Sequence, residues 1–482
     1  MKNYSVAMTE ELHDGLYRHL KRADGQEDLC FALWDHSSGK SRYSALLAEI
    51  IYPEKEDRQV HGNVSFNSKY LDRVLELALK KNMGVAFLHS HPTKGWQSMS
   101  FDDVNTEKYL APIVKATTGL PFLGLTMGTD GVWSARFWQK NIKGKYERKW
   151  CESVRIIGNK FSINFNDNLL KPPKVTEKLL RTVSAWGRST QEKISRLKIG
   201  IIGAGSVGSI IAESLKKIGV TNIKIIDFDT LEEKNLDRTL HAKMKDIGKA
   251  KANVLAKAIR SNAIIKGFKV EALEYSIAEE FAFRNAIDCD IIFSCVDRPW
   301  PRYILDLIAY AHLIPVIDGG IFVETDGENS QMIAADWKTN IVGPKRPCLE
   351  CIGQYRPEDV ALEQAGLLDN LGYISSIDKK HFIHRNENVF AFSLGLGFLE
   401  MQQFLSFVIA PFGLGNIGGK VYHFITGDLQ DEKIKACINT CRKEVYIAKG
   451  DKITTGRISR HFKAEEVREK REQLKFLKLK SN

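Results

Sequence analysis

A chain of 482 residues, 43% hydrophobic and 27% charged, has the make-up of a globular protein with two or three domains, each able to bury its own core. Residues Met1 to Arg18 include acidic side chains and lack the apolar centre of a signal peptide. The greasiest stretch, Val389 to Leu414, is interrupted by Glu400, Gln402 and Gln403, so a core helix is expected there rather than a membrane span. The expected setting is the cytoplasm, where close cysteine pairs mean metal more often than disulfide. The net charge of +11 is uneven, because residues 442–482 hold thirteen Lys or Arg against six Asp or Glu. Such a tail can meet nucleic acid, an acidic partner or a membrane, but reads first as a solvated helix end, so neither nucleic acid nor membrane is an expected partner.

Residues 1–145 read as an α+β unit. Strands are expected at Cys30–Trp34, Ser44–Ile51, Gly84–Leu88, Pro121–Met127 and Val132–Trp138, with an amphipathic helix at Leu71–Lys81 ended by Asn82. The chemistry of this unit sits in His89-Ser90-His91-Pro92 and Ser100-Phe101-Asp102-Asp103. On a strand, residues i and i+2 face the same side, so His89 and His91 can present two imidazoles to one ion. Asp103 can add a carboxylate and leave a fourth position open, as a catalytic zinc site requires. Ser100 and Asp103 also suit a helix N-cap.

This H-x-H followed by S-x-x-D resembles the signature of the JAMM metallopeptidases, also called JAB or MPN+. The resemblance implies a cytidine-deaminase-like fold, a catalytic zinc on His89, His91 and Asp103, and cleavage of bonds that follow ubiquitin-like proteins. It also implies a glutamate general base on an earlier strand. Glu49, in the hydrophobic run L-L-A-E-I-I, matches best, with Glu54 and Glu56 beyond Pro53 as alternatives. Ser100 would then polarise the scissile carbonyl or bind the oxyanion.

Residues 146–175 read as a connector, with a loop at N-F-N-D-N and a boundary near Lys171-Pro172-Pro173. Beyond it, K-I-G-I-I is a buried strand, Gly203-Ala204-Gly205-Ser206-Val207-Gly208 a tight turn, Ser209–Lys217 a helix and Val220–Ile226 a second strand. Such a βαβ unit places the turn at a helix N-terminus, where backbone N–H groups favour phosphate. Asp227 and Asp229 stand about 20 residues on, where an acidic side chain can hold a ribose hydroxyl.

The string that follows, D-F-D-T-L-E-E-K-N-L-D-R and then D-I-G-K-A-K-A, resembles the nucleotide-binding core of the ThiF, MoeB and ubiquitin-activating superfamily. The resemblance implies a Rossmann-like α/β domain over residues 176–441 with a mostly parallel sheet. Its chemistry is ATP-dependent adenylation of the C-terminal glycine of a ubiquitin-like β-grasp protein. By that resemblance Gly203, Gly205 and Gly208 let the backbone approach the phosphates, and Asp229 rather than Asp227 holds the ribose. Asn235, Arg238 and Lys251 surround the triphosphate, and Asp297, in I-I-F-S-C-V-D-R-P-W-P-R, binds Mg2+ and acts in catalysis. Arg302 is structural. Arg181, in the helical lead-in, reaches the partner subunit's ATP in a homodimer.

Cys348 and Cys351, with Cys437 and Cys441, can supply a closed four-cysteine zinc site. The resembled superfamily often has C-x-x-C twice, whereas here the second pair has three intervening residues. Cys30, Cys289 and Cys295 suit reduced core positions. No cysteine lies between Cys351 and Cys437, where thioester-forming relatives usually carry theirs. Adenylation is therefore better supported than a thioester, which would otherwise fall to Cys295 or Cys289. The expected whole is a peptidase fused to an adenylating domain, with a basic tail at 442–482. It resembles prokaryotic ubiquitin-like conjugation systems, some of which serve in antiviral defence, and a conjugating enzyme would be a further partner. Processing of a sulfur carrier is one alternative, and an inactive scaffold for ubiquitin-like partners is another.

Overall fold

The computed structural model describes residues 2–61, 63–174, 176–326, 331–377 and 387–480. Two compact units emerge. One takes the chain up to Pro172 with Ala311–Leu313 and Val445–Ile453; the other takes Pro173–Tyr310, Ile314–Glu444 and the chain from Thr454 on.

The first unit runs β1 (Asn3–Thr9), α1 (Glu10–Leu20), β2 (Leu29–Ser38), β3 (Arg42–Ile51), the hairpin β4 (Arg58–His61) and β5 (Asn63–Phe66), and α2 (Ser68–Lys81). It continues with β6 (Gly84–Ser90), α3 (Phe101–Thr118), β7 (Phe122–Met127), β8 (Trp133–Lys140), β9 (Tyr146–Trp150), β10 (Ser153–Ile157) and β11 (Phe161–Phe165). Nine of these strands form one mixed sheet in the order β11-β10-β1-β3-β2-β6-β7-β8-β9. Alternation along β2 sends Leu29, Phe31 and Leu33 to one face, against Tyr70 and Val74 of α2 and Leu110 and Val114 of α3. Cys30, Ala32 and Trp34 go to the other face, with Leu16 and Leu20 of α1. Both faces are covered, which is why L-C-F-A-L-W is continuously apolar. Each fully buried Leu or Phe contributes about 2 kcal/mol relative to exposure. Asn82 does end α2, in the left-handed region at φ 51°.

Residues 146–175, read from sequence as a connector, instead supply β9, β10 and β11 of this sheet. Their short segments carry charges and asparagines, which hides strand periodicity until the neighbouring strands are in place.

The second unit begins with α4 (Leu180–Trp186) and α5 (Arg188–Arg196). There follow β12 (Lys198–Ile202), α6 (Ser206–Lys217), β13 (Asn222–Ile226), α7 (Lys251–Ser261), β14 (Lys269–Leu273), α8 (Glu280–Ala286), β15 (Ile291–Ser294) and α9 (Pro299–Ala311). Next come β16 (Val316–Thr325), β17 (Met332–Val342), α10 (Pro357–Gln364), α11 (Leu371–Ile374), α12 (Phe390–Ile409), β18 (Lys420–His423), β19 (Asp428–Asp431) and α13 (Phe462–Lys480). The eight strands order as β14-β13-β12-β15-β16-β17-β18-β19. The sheet is mixed rather than mostly parallel: ladders from β14 to β16 are parallel, and those from β16 to β19 are antiparallel. β16 ends at Thr325 and β17 begins at Met332, too short a link for the crossover that a parallel neighbour requires.

Among the described residues α12 is the one helix long and apolar enough to cross a bilayer. Phe392, Leu396 and Leu399 pack it against Ala335 and Trp337 of β17, and Glu400 on the same helix is fully buried. Among its described residues the basic tail is docked at particular points rather than wholly solvated. Ala464 of α13 is fully buried and Arg471 is 3% exposed, because acceptors on the second unit receive its guanidinium.

Candidate functional site

In the first unit β6 delivers His89 at its C-terminal end, His91 follows it, and α3 brings Asp103 in its first turn. Ser100 caps α3: its Oγ accepts from the Asp103 N–H at 3.1 Å, and Asp103 Oδ2 accepts from the Ser100 N–H at 2.7 Å. The cap aims the carboxylate at the two imidazoles. Asp103 Oδ1 stands 3.2 Å from His89 Nε2, Oδ2 stands 3.2 Å from His91 Nε2, and the two Nε2 atoms are 3.2 Å apart. The three side chains offer ligand atoms within 4.8 Å of one another, two nitrogens and one oxygen, a donor set that fits zinc. Burial pushes the Asp103 carboxyl up, but the adjacent imidazoles hold it well below the usual carboxylate range. Below the triad, Arg136 and Glu107 form a fully buried ion pair, and Arg136 Nη1 donates to Thr126 Oγ1 at 2.6 Å. Thr126 Oγ1 in turn lies 3.4 Å from His89 Nε2.

Glu49 does not join this group. It lies on β3, 41% exposed, and pairs with Lys81 of α2. The carboxylate beside the triad is Glu27, which precedes β2 and lines one cleft with His91, Gly128 and Thr129. Burial and Asp103 lift its carboxyl while His91 and His89 draw it down, leaving it above the ordinary value. An acidic residue just ahead of the buried run L-C-F-A-L-W was the available signal, but its bearing depends on strand pairing. Asp28, next in the chain, is held by Arg58 Nη2 at 2.9 Å, and its N–H donates to Ser90 Oγ at 3.0 Å.

In the second unit β12 leads into the glycine turn and α6. At Gly203, φ is +100° and a Cβ would lie 2.3 Å from the Cys295 carbonyl oxygen; at Gly208 a Cβ would lie 2.0 Å from the Gly203 carbonyl oxygen. These two glycines fasten the turn. Gly205 has nothing within 4 Å of where a Cβ would sit, so its side stays open to a ligand at the helix N-terminus. Asp227 Oδ2 accepts from the Ala204 N–H at 2.6 Å, and Oδ1 accepts from the Asp229 N–H at 2.7 Å. Burial and the neighbouring Asp229 push the Asp227 carboxyl up to about 6. Asp227 thus closes the turn, while Asp229, half exposed, meets Lys251 Nζ at 2.8 Å. Burial lowers the Lys251 ammonium, but Asp229, Asp227 and Asp297 raise it further, so it stays charged.

Asn235 is buried, and its Oδ1 accepts from the Glu232 N–H at 3.0 Å. Arg238 is fixed by its own carbonyl, which accepts from Ser206 Oγ at 2.7 Å; its guanidinium donates to the Lys234 carbonyl and to Asp237. Asp297 is exposed beyond the carboxyl end of β15, and the Cys295 N–H donates to the Ile202 carbonyl at 2.8 Å. Arg302 bridges Asp318, the Gly319 carbonyl and the Gln354 carbonyl, a structural part. Arg181 is exposed on α4, and among the described residues no hydrogen bond or ion pair ties it to the glycine turn. One contact had no sequence signal: the Trp300 N–H donates at 2.8 Å to Glu363 of α10, whose carboxyl burial pushes up to about 7.

The four cysteines converge despite their separation in sequence, with Sγ atoms within 4.8 Å of one another, a donor set that fits a closed zinc site. Cys348 Sγ is 3.7 Å from Cys441 Sγ, and the Cys348 N–H donates to Cys437 Sγ at 3.2 Å. Donation from Cys348 draws the Cys437 thiol down to about 5, while the Cys348 thiol is pushed up. Cys289 is buried, and burial pushes the Cys295 thiol well up, so neither has the features of a ready nucleophile.

Among curated proteins, the sulfur carrier protein adenylyltransferase of Thermus thermophilus is 26% identical over 167 residues, 34% of this chain and 59% of that protein. The SAMP-activating enzyme E1 of Haloferax volcanii is 22% identical over 188 residues, 39% of this chain and 65% of that protein. The chain therefore spans under two thirds of either relative. A solved structure of Escherichia coli MccB with ATP is 17% identical with a TM-score of 0.42, over 56% of this chain and 74% of that one, too loose to carry residue roles. Residues 177–442, more than half of the 482, match the model of the ThiF family. The chain is a member of the ThiF family.

Proposed function

We propose that the second unit uses ATP to adenylate the C-terminal glycine carboxylate of a ubiquitin-like β-grasp protein. What carries the reading is one observation. The glycine turn, the Asp229–Lys251 pair and Asp297 all follow the carboxyl ends of neighbouring parallel strands, β12, β13 and β15, where open α/β sheets bind nucleotides. The backbone from Gly203 to Gly208 and the start of α6 receive phosphate, and Asp229 takes a ribose hydroxyl. A partner carboxylate oxygen attacks the α-phosphorus, the bond from that phosphorus to the bridging oxygen breaks, and pyrophosphate leaves. Asn235, Arg238 and Lys251 stabilise the charge that develops on the phosphates. Asp297 would hold Mg2+, which supplies further positive charge when bound. Relatives named for sulfur-carrier and SAMP activation support the substrate class. A homodimer that brings Arg181 to the partner's nucleotide, and a cytoplasmic setting, belong to the same reading.

The first unit, in this reading, is a JAMM-type peptidase that frees or removes the same protein. His89, His91 and Asp103 would hold zinc, which supplies Lewis acidity when bound. Glu27, not Glu49, takes the proton of the attacking water and returns it to the leaving amine as the carbon–nitrogen bond breaks. Ser100 stands at the same helix start and orients Asp103.

Sulfur-carrier activation is the second reading, favoured by the lack of a cysteine between Cys351 and Cys437. ATP–pyrophosphate exchange with β-grasp proteins ending in glycine, repeated with Asp297→Ala, tests adenylation. Partner-dependent exchange that the variant loses supports it; a wild-type chain that exchanges with no such partner overturns it. Product analysis after sulfide addition separates thiocarboxylate formation from conjugation.

A further inference from the structure

The segment Thr454–Lys480 lies outside the part of the chain that matches the ThiF family, yet it packs on the loops that follow β13 and β15. His461 stacks on Trp300 at 5.1 Å between centroids and meets Phe228 in a tilted contact at 5.5 Å. Trp300 stands in the first turn of α9, just after Asp297, and its indole N–H donates to the Gly456 carbonyl at 2.9 Å. Phe228 lies between Asp227 and Asp229. Farther along α13, Arg471 Nη1 donates to the Phe228 carbonyl at 2.7 Å and to Thr230 Oγ1 at 2.8 Å, gripping the residues on either side of Asp229. Its Nη2 donates to Glu274 Oε2 at 2.7 Å, and Glu274 also receives the Asn253 side chain of α7, the helix that begins with Lys251. Arg468 adds a fork onto Glu279 at 2.8 and 3.1 Å.

Apolar burial does not account for this docking, since α13 has no coherent apolar face. A guanidinium only 3% exposed is costly to bury unless its donors are received. Here Nη1 is received by the loop atoms around Asp229 and Nη2 by Glu274, while Nε finds no acceptor among the described residues. We infer that Arg471 is a positioning residue of the nucleotide site, holding the Phe228–Thr230 loop so that Asp229 meets the ribose of a bound nucleotide. The inference rests on the adenylation reading, and its test separates the two.

The full-length chain is titrated by calorimetry with ATP and with 2′,3′-dideoxy-ATP, which lacks the hydroxyls that Asp229 would take. Wild type is expected to prefer ATP by about tenfold. Arg471→Ala is expected to bring that preference close to unity by weakening ATP while leaving the dideoxy nucleotide within about twofold, and Arg471→Lys to recover part of it. A general structural defect would weaken both nucleotides alike. Should Arg471→Ala fail to fold, Thr230→Val removes a single acceptor and is judged by the same ratio. An Arg471 or Thr230 variant that folds and keeps the wild-type ratio overturns the inference while adenylation stands. A wild type that binds neither nucleotide overturns the nucleotide assignment and the inference with it; one that binds both equally removes the ribose role of Asp229 and the inference, while nucleotide binding stands.

Discussion

Leu29 of β2 stands directly across the antiparallel ladder from His89 of β6. That register decides which carboxylate lies beside the triad. Glu27, two residues before Leu29, is carried to the level of His91, two residues after His89. Glu49 of β3 is opposite Leu33, which is opposite Val85, four residues short of His89. At about 3.3 Å per residue, Glu49 lies more than a dozen ångström along the sheet from the triad.

If the first unit is the proposed peptidase, Glu27→Gln should therefore cut peptide-bond cleavage by about 10³-fold with zinc content unchanged. Glu49→Gln should leave the rate within about twofold. Cleavage assays paired with metal analysis check both, and equal losses in the two variants would remove Glu27 from its role.

The three glycines of the turn divide by what a methyl group would strike. Gly208→Ala meets a backbone oxygen that cannot move freely, so about 3 kcal/mol of stability should be lost. Gly205→Ala meets open space, so its melting temperature should hold within a degree or two while ATP affinity falls. Thermal melts with and without nucleotide separate these outcomes. A Gly205 variant that binds ATP normally would place the phosphates elsewhere.

If both groups hold zinc as proposed, the two sites should empty independently. Cys437→Ser is expected to forfeit one zinc per chain and lower the melting temperature by roughly 10 °C. His91→Ala should forfeit the other zinc and the peptidase activity while exchange persists. Metal analysis of the two variants and of the wild type settles the stoichiometry.

Glu363 gives a pH signature. Its carboxyl is pushed up to about 7 in the folded chain from an ordinary value of 4.5, chiefly by burial. Its contribution is fully present below pH 4.5 and lost as pH rises through 7, so stability declines across that interval by on the order of 3 kcal/mol. Glu363→Gln keeps an acceptor for the Trp300 N–H and should flatten that decline, as denaturant melts at pH 5 and pH 8 would read. An unchanged slope would show that the group titrates normally.

The β12–α6–β13 core was legible because strands buried on both faces read as apolar runs and because the turn admits only glycine at Gly203 and Gly208. His89, His91 and Asp103 were legible from strand period and capping pattern. Glu27 was not, since its direction is set by pairing between strands far apart in sequence. The strands β9, β10 and β11 were lost among charges and asparagines. The docking of α13 was hidden because an arginine that grips two loops has the same sequence appearance as one in water. The antiparallel half of the second sheet depends on the short link between Thr325 and Met332, which pattern alone does not weigh.

The cysteine quartet also has a topological consequence. Cys348 and Cys351 begin an excursion holding α10, α11, α12, β18 and β19, and Cys437 and Cys441 end it. With zinc on all four cysteines, as proposed, the excursion would be a ring whose neck stays closed even when its contacts with the sheet let go. Most of the entropy of closing so long a loop is withdrawn before it folds back. A closed neck of that kind would keep α12 near β17, where Phe392 stacks on Trp337, and shorten the search for that contact.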